Sequence, residues 1–200
     1  MERVLDGTWV AATPEEDGDA TDAALMMVPT SIAYTGTSAT TTDSGSVEFT
    51  AVSSLSLNGV FTGDFDNYMV VMRQTASSAT SIHLRLRVGG ADNSTANSYV
   101  RQYLEADSTT VGGARQTYNY LAGIAYAYNV QRAGQSINIY GPALTQPTAF
   151  RSVSAYDYAS ALITDVAGTH NQSIAYDGFT VYSDSYNITG LVSVYGIRGA

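Results

Sequence analysis

Ser81–Val88 reads SIHLRLRV. Successive side chains of a strand point to opposite faces, so Ile82, Leu84, Leu86 and Val88 share one face and His83, Arg85 and Arg87 the other. This alternation predicts an antiparallel strand with one face on a core and one toward water. The same code extends outward. From Ile32 onward Val, Ile, Thr, Tyr and Phe dominate, and clusters of Gly, Asn, Asp and Ser interrupt them at short intervals. Further strands are expected at 46–50, 53–57, 68–74, 99–105, 124–128, 136–140, 149–158, 179–183 and 191–195. Loops or hairpin turns are expected at 89–93, 111–113 and 177–178. Residues 129–134 and 162–167 are given at most a single helical turn each. About ten short strands with frequent turns predict an all-β fold, an antiparallel jelly-roll-like β-sandwich. No repeat of fixed period is present, which argues against a propeller, a solenoid or a β-helix.

The chain has 200 residues, long enough to bury a core without covalent staples. It contains no cysteine, which excludes disulfides and thiolate metal sites. No apolar run approaches the ~20 residues of a membrane-spanning helix, so no membrane insertion is expected. Residues 1–19 lack the basic and apolar regions of a secretion signal, and none is expected. The net charge of −9 is uneven. Glu2, Asp6, Glu15, Glu16, Asp17, Asp19 and Asp22 crowd the first 22 residues, against Arg3 alone. Phosphate backbones reward clustered Lys and Arg, so nucleic acid is not an expected partner.

Residues 1–30 read as an extended N-terminal arm and 31–200 as the sandwich. In the arm, Trp9, Leu25, Met26, Met27 and Val28 flank the acidic stretch 13–22. Burying one such side chain is worth about 1.5–3 kcal/mol. These five are therefore the expected anchors, docking on this domain, a second copy or another protein. A short helical turn is expected over 20–27, stopped by Pro29.

Chemistry-bearing constellations are sparse. His83 and His170 lack the spacing of a zinc pair, and no nucleophile elbow is present. Asp64 and Asp66, like Glu105 and Asp107, are acids two apart. A glycosidase holds its two carboxyls at a set separation across a cleft, which close neighbours rarely provide. Asp64, Asp66 and Asn67 read instead as turn-capping residues. The expectation is a protein that is not an enzyme, without cofactor or bound metal. Fifteen tyrosines carry more weight. Tyr118, Tyr120, Tyr126 and Tyr128 are the expected surface-contact aromatics, because Tyr combines a large apolar face with one polar handle.

Two stretches carry a resemblance. Leu55–Met72, LSLNGVFTGDFDNYMVVM, and the closing stretch 187–200, NITGLVSVYGIRGA, resemble the start and end of β-sandwich domains in virion proteins of tailed bacteriophages. The resemblance is chiefly to tail-fibre and minor tail proteins, and it implies a jelly roll. It also implies a structural virion component that displays the sandwich for host-surface contact, with a head decoration or head-fibre protein as the alternative. A polysaccharide-degrading enzyme is the third reading. The implied partners are other virion proteins through the arm, further copies of the chain with a trimer favoured, and a host-surface glycan or protein. The implied location is the virion, assembled in the host bacterial cytoplasm.

Overall fold

The structure is a computed structural model that describes residues 4–5, 8–9, 24–128, 133–157 and 161–198. The acidic stretch 13–22, the side chain of Trp9, residues 129–132 and Tyr158 lie outside the described residues. The elements are β1 (Val4–Leu5), β2 (Thr8–Trp9), β3 (Ala24–Met26), β4 (Ser31–Thr41), β5 (Val47–Asn58), β6 (Asn67–Ala76), β7 (Thr80–Val88) and β8 (Ala91–Asp92). They continue with β9 (Tyr99–Asp107), β10 (Thr110–Tyr118), β11 (Leu121–Ala127), β12 (Ala133–Tyr140), β13 (Thr148–Asp157), β14 (Ala161–His170), β15 (Gly178–Ser183) and β16 (Ile188–Ile197). Among the described residues there is no helix. The all-β, antiparallel class expected from the sequence is the class found.

Fourteen of the described strands form one antiparallel sheet, in the order β10-β9-β14-β13-β12-β6-β16-β5-β15-β7-β11. Off this path β3 pairs with β16, β4 with β5 and β8 with β7. The sheet curls into a half-barrel, which brings β11 across the concave face onto β13, β12 and β14. The corner lies in β5. Its first half, Val47–Val52, pairs with β16, and its second half, Ser54–Asn58, pairs with β15. Near the end of the first half Ala51 has φ 48°, the β16 ladder slips between Ile188 and Gly190, and the β4 ladder slips between Thr35 and Gly36. A bulge bends its strand and increases the local twist, so this one re-aims β5 from one half of the sheet to the other. Phe49, Val52, Leu55, Leu57, Tyr68, Val70, Leu84, Leu86, Ile137, Phe179 and Val192 meet inside the curl as one core.

Three strands escaped the sequence pattern. β4 (SIAYTGTSATT) is mostly exposed and shows no apolar alternation. β10 contains Val111-Gly112-Gly113, read as a loop, yet it pairs with β9 along its whole length. β14 includes 162–167, read as at most a helical turn, and pairs with β13 and β9. Tertiary pairing overrides weak local signals of this kind. The helical turn expected over 20–27 is also corrected, because Ala24–Met26 is a strand on β16. β5 leaves the β16 ladder at Val47, and β3 occupies the edge beyond it, where an N–H or C=O would otherwise go unpaired.

β7 keeps its predicted inner face, with Ile82, Leu84 and Leu86 fully buried. Its outer face does not meet water as expected: His83 and Arg87 are buried as well. Arg87 donates from Nη1 to Ser56 Oγ (3.1 Å) and Thr180 Oγ1 (2.8 Å), and from Nε to Asn58 Oδ1 (3.0 Å). It also pairs with Asp92 and donates to the Gly90 carbonyl. These partners come from β15 beside β7, from β5 on the far side of β15, and from residues 90–92.

Candidate functional site

The arm anchors separate in space. Met27 joins the main core and donates its N–H to the Val194 carbonyl (2.8 Å). Met26 is half-buried beside Gly45, while Leu25 and Val28 are 49% and 52% exposed. Trp9 pairs through its backbone with Val4 in the two-stranded sheet β1-β2.

The two expected tyrosine pairs also occupy different places. Tyr118 and Tyr120 lie at the end of β10 and in the bend before β11, and their rings stack at 5.1 Å. Tyr120 then packs on His83 (4.7 Å) and edge-on to Tyr182 (5.8 Å), and Arg85 lies over both Tyr120 and Tyr182. This group is the lid on the outer face of β7. It holds His83 in a fixed state. The Gly123 N–H donates to Nδ1 (2.8 Å), and Nε2 lies 2.7 Å from Asp184 Oδ1. Nδ1 is thus an acceptor, and Nε2 faces the Asp184 carboxylate. Burial pushes the His83 pKa down, and Asp184 opposes that shift.

His170 is likewise buried, at the end of β14. It stacks on Tyr99 (4.0 Å), and its Nε2 lies 2.6 Å from the Tyr176 hydroxyl, which accepts from Asn93 Nδ2 (2.8 Å). Burial holds the imidazole pKa down at about 4. Because the folded state binds this proton less tightly than the unfolded chain, stability is complete above pH ~6.5 and is lost as pH falls toward 4. Urea denaturation should show a loss of about 2 kcal/mol between pH 7.5 and pH 5 from His170 alone. A His170→Gln variant should have a flatter profile over the same range. Equal pH dependence in the two proteins would refute the assignment.

The 62–68 turn is capped internally. The Tyr68 hydroxyl accepts from Thr62 N (2.7 Å) and donates to Thr62 O (2.8 Å), and Thr62 Oγ1 donates to Asp64 Oδ2 (3.1 Å). Asp64 therefore serves the turn. Among the described residues no group of three or more His, Asp or Glu is placed to hold a metal ion.

Tyr126 and Tyr128 line a cleft of about 350 Å³ with Ala79, Glu105, Asp107, Ala127, Tyr156 and Leu162. β11 places them here because its alternate residues Ala125 and Ala127 are buried in the core, which turns Tyr126 the other way. Tyr126 stacks on Tyr156 at 5.1 Å and 26°. Tyr156, Leu162 and Ala133 form a small apolar cluster separate from the main core. The Tyr156 hydroxyl donates to Glu105 Oε2 (3.2 Å), and burial pushes its pKa up to about 12. Asp107, Leu162 and Tyr156 are direct neighbours across β9, β14 and β13. Glu105 and Asp107, two apart in the sequence, thus reach one cleft together with a pair of aromatics. The sequence offered the separate signals, Tyr-rich steps and an acid pair, but not the strand register that unites them.

No family model matches this chain, and neither a curated protein nor a solved structure matches it.

Proposed function

We propose that the chain is a non-catalytic structural protein of a tailed-phage virion, attached through its N-terminal region and displaying a β domain to the host surface. The observation that supports this most is spatial. The two stretches carrying the phage resemblance are hydrogen-bonded neighbours, because β16 lies between β6 and β5. Gly196 of the closing strand packs on the Phe65 ring of the first stretch, where a Cβ would come within 2.5 Å. The resemblance therefore describes one packed unit rather than two scattered matches. In this reading the facing halves of the curled sheet are the layers of a jelly-roll-like sandwich. The protein works as an oligomer, with a trimer favoured, and meets other virion proteins through its N-terminal region. The burial of both His83 and His170 supports a binding rather than a catalytic role.

Deleting residues 1–23 keeps β3 on the sheet and Met27 in the core. The truncated protein is expected to melt within a few degrees of the full chain and to be missing from purified particles. Protein composition of separated tails and heads checks this. Presence in tails supports the fibre or minor tail assignment, presence in heads moves the module to a decoration role, and absence of the full chain from both ends the virion reading.

A further inference from the structure

We propose that the cleft between β9, β11 and β13 binds one pyranose ring of an uncharged hexose or N-acetylhexosamine oligosaccharide. The proposal deepens the host-contact reading and rests on it for its setting only. The cleft volume, about 350 Å³, lies within the range of small-molecule sites. Its walls have two characters. The half-buried Tyr126 ring, held against Tyr156, offers a rigid apolar platform of the kind that stacks on the C–H face of a sugar. Glu105, oriented by the Tyr156 hydroxyl, offers a carboxylate acceptor to the hydroxyls at the sugar's rim. Hydrogen bonds to an ionised acceptor are roughly twice as strong as neutral ones.

The strand register continues the polar character of the Glu105 wall. In the strand register Glu105 is opposite Thr164, Thr164 opposite Ser154, and Ser154 opposite Gln135. This polar row runs inward from Glu105 across the concave face. Thr164, Ser154 and Gln135 are all buried, and Ser154 Oγ and Gln135 Nε2 have no hydrogen-bond partner. Buried polar atoms are costly unless paired. None of the three lines the cleft, so the row gives polar backing to the Glu105 wall and makes no contact with a ligand there. Glu105, whose partner at the cleft is the neutral Tyr156 hydroxyl, also disfavours sugars that bear a carboxylate, through like-charge repulsion.

The test is titration of the full chain with maltotriose and chitotriose, alongside sialyllactose, digalacturonate and choline, by calorimetry or saturation-transfer NMR. At least one uncharged trisaccharide is expected to bind, with both anionic sugars at least about tenfold weaker. Tyr126→Ala should weaken that binding about tenfold. Glu105→Gln, which keeps the shape of the wall, should weaken it about fivefold at an unchanged urea midpoint. If Tyr126→Ala does not fold, Glu105→Gln decides. The proposal is overturned by no binding of either uncharged sugar, by preference for an anionic sugar or for choline, or by binding that both variants leave intact. A trisaccharide shortened during incubation would support the cleft as a sugar site and overturn the non-catalytic reading. Failure to bind sugar, with the protein still present in particles, would sink this inference alone.

Discussion

Gly190→Ala is expected to lower the melting temperature by about 10 °C, the result of roughly 3–4 kcal/mol of lost stability in a chain of this size. Gly190 sits where β16 is flanked on both sides, opposite Gln74 of β6 and Phe49 of β5. A Cβ at this position would lie 2.1 Å from the Arg73 carbonyl oxygen, 2.9 Å from Phe49 Cζ and 3.0 Å from Gln74 Cα. The first contact is with backbone and cannot be relieved by a rotamer change. The ladder of β6 or of β5 has to move, and Phe49 is fully buried in the core that would move with it. Gly134→Ala is the control. It lies in β12 with nothing within 4 Å of its added Cβ, and it should change stability by less than about 0.5 kcal/mol. Urea denaturation of the two variants separates the explanations: equal effects would mean that the tight packing of β16 does not limit stability.

Arg87→Met is expected to cost about 3 kcal/mol, although Met fills much of the same volume. The loss is electrostatic and polar. Removing one member of a buried ion pair leaves the other uncompensated, typically at 3–5 kcal/mol. The lower figure applies because the Asp92 side chain is 26% exposed and regains some water. Ser56, Asn58 and Thr180 lose their donor at the same time. Arg87→Lys should recover less than half of the loss, since an ammonium cannot present the planar fork that reaches these partners. Adding Asp92→Asn to Arg87→Met should cost less than the sum of the two single changes. Additive single and double variants in urea melts would show that the pair carries no coupling.

The contrast within β7 explains what the sequence could and could not show. Ile82, Leu84 and Leu86 were legible because an apolar residue at every second position has few other uses. His83 and Arg87 were misplaced because charged residues on the far side of such a strand usually meet water. Their cover comes from Ser56, Thr180, Tyr120 and Asp184, which lie far away in the chain, and no local pattern announces it. The strands β4, β10 and β14 were hidden for a related reason. Thr, Ser, Gly and Ala dominate β4 and β10, and in β14 the exposed Ile163 breaks the one-sided apolar pattern. At the cleft, Tyr126 and Tyr128 are legible as contact aromatics from the Tyr-rich sequence. Their meeting with Glu105 and Tyr156 depends on β9, β13 and β11 converging, which is a property of the curl.

The position of β16 has a consequence for biosynthesis. This strand, Ile188–Ile197, is the wedge between β6 and the first half of β5, more than a hundred residues earlier in the chain. A ribosome adds about 5–20 residues per second, so β5 and β6 wait several seconds in the cell with one edge unpaired. Folding dominated by such distant pairings is slow, and open strand edges are templates for aggregation. Chains cut short before Ile188 should therefore accumulate as insoluble material rather than as smaller folded domains. Yield of the intact protein should rise at low expression temperature, where fewer unfinished chains are present to meet one another.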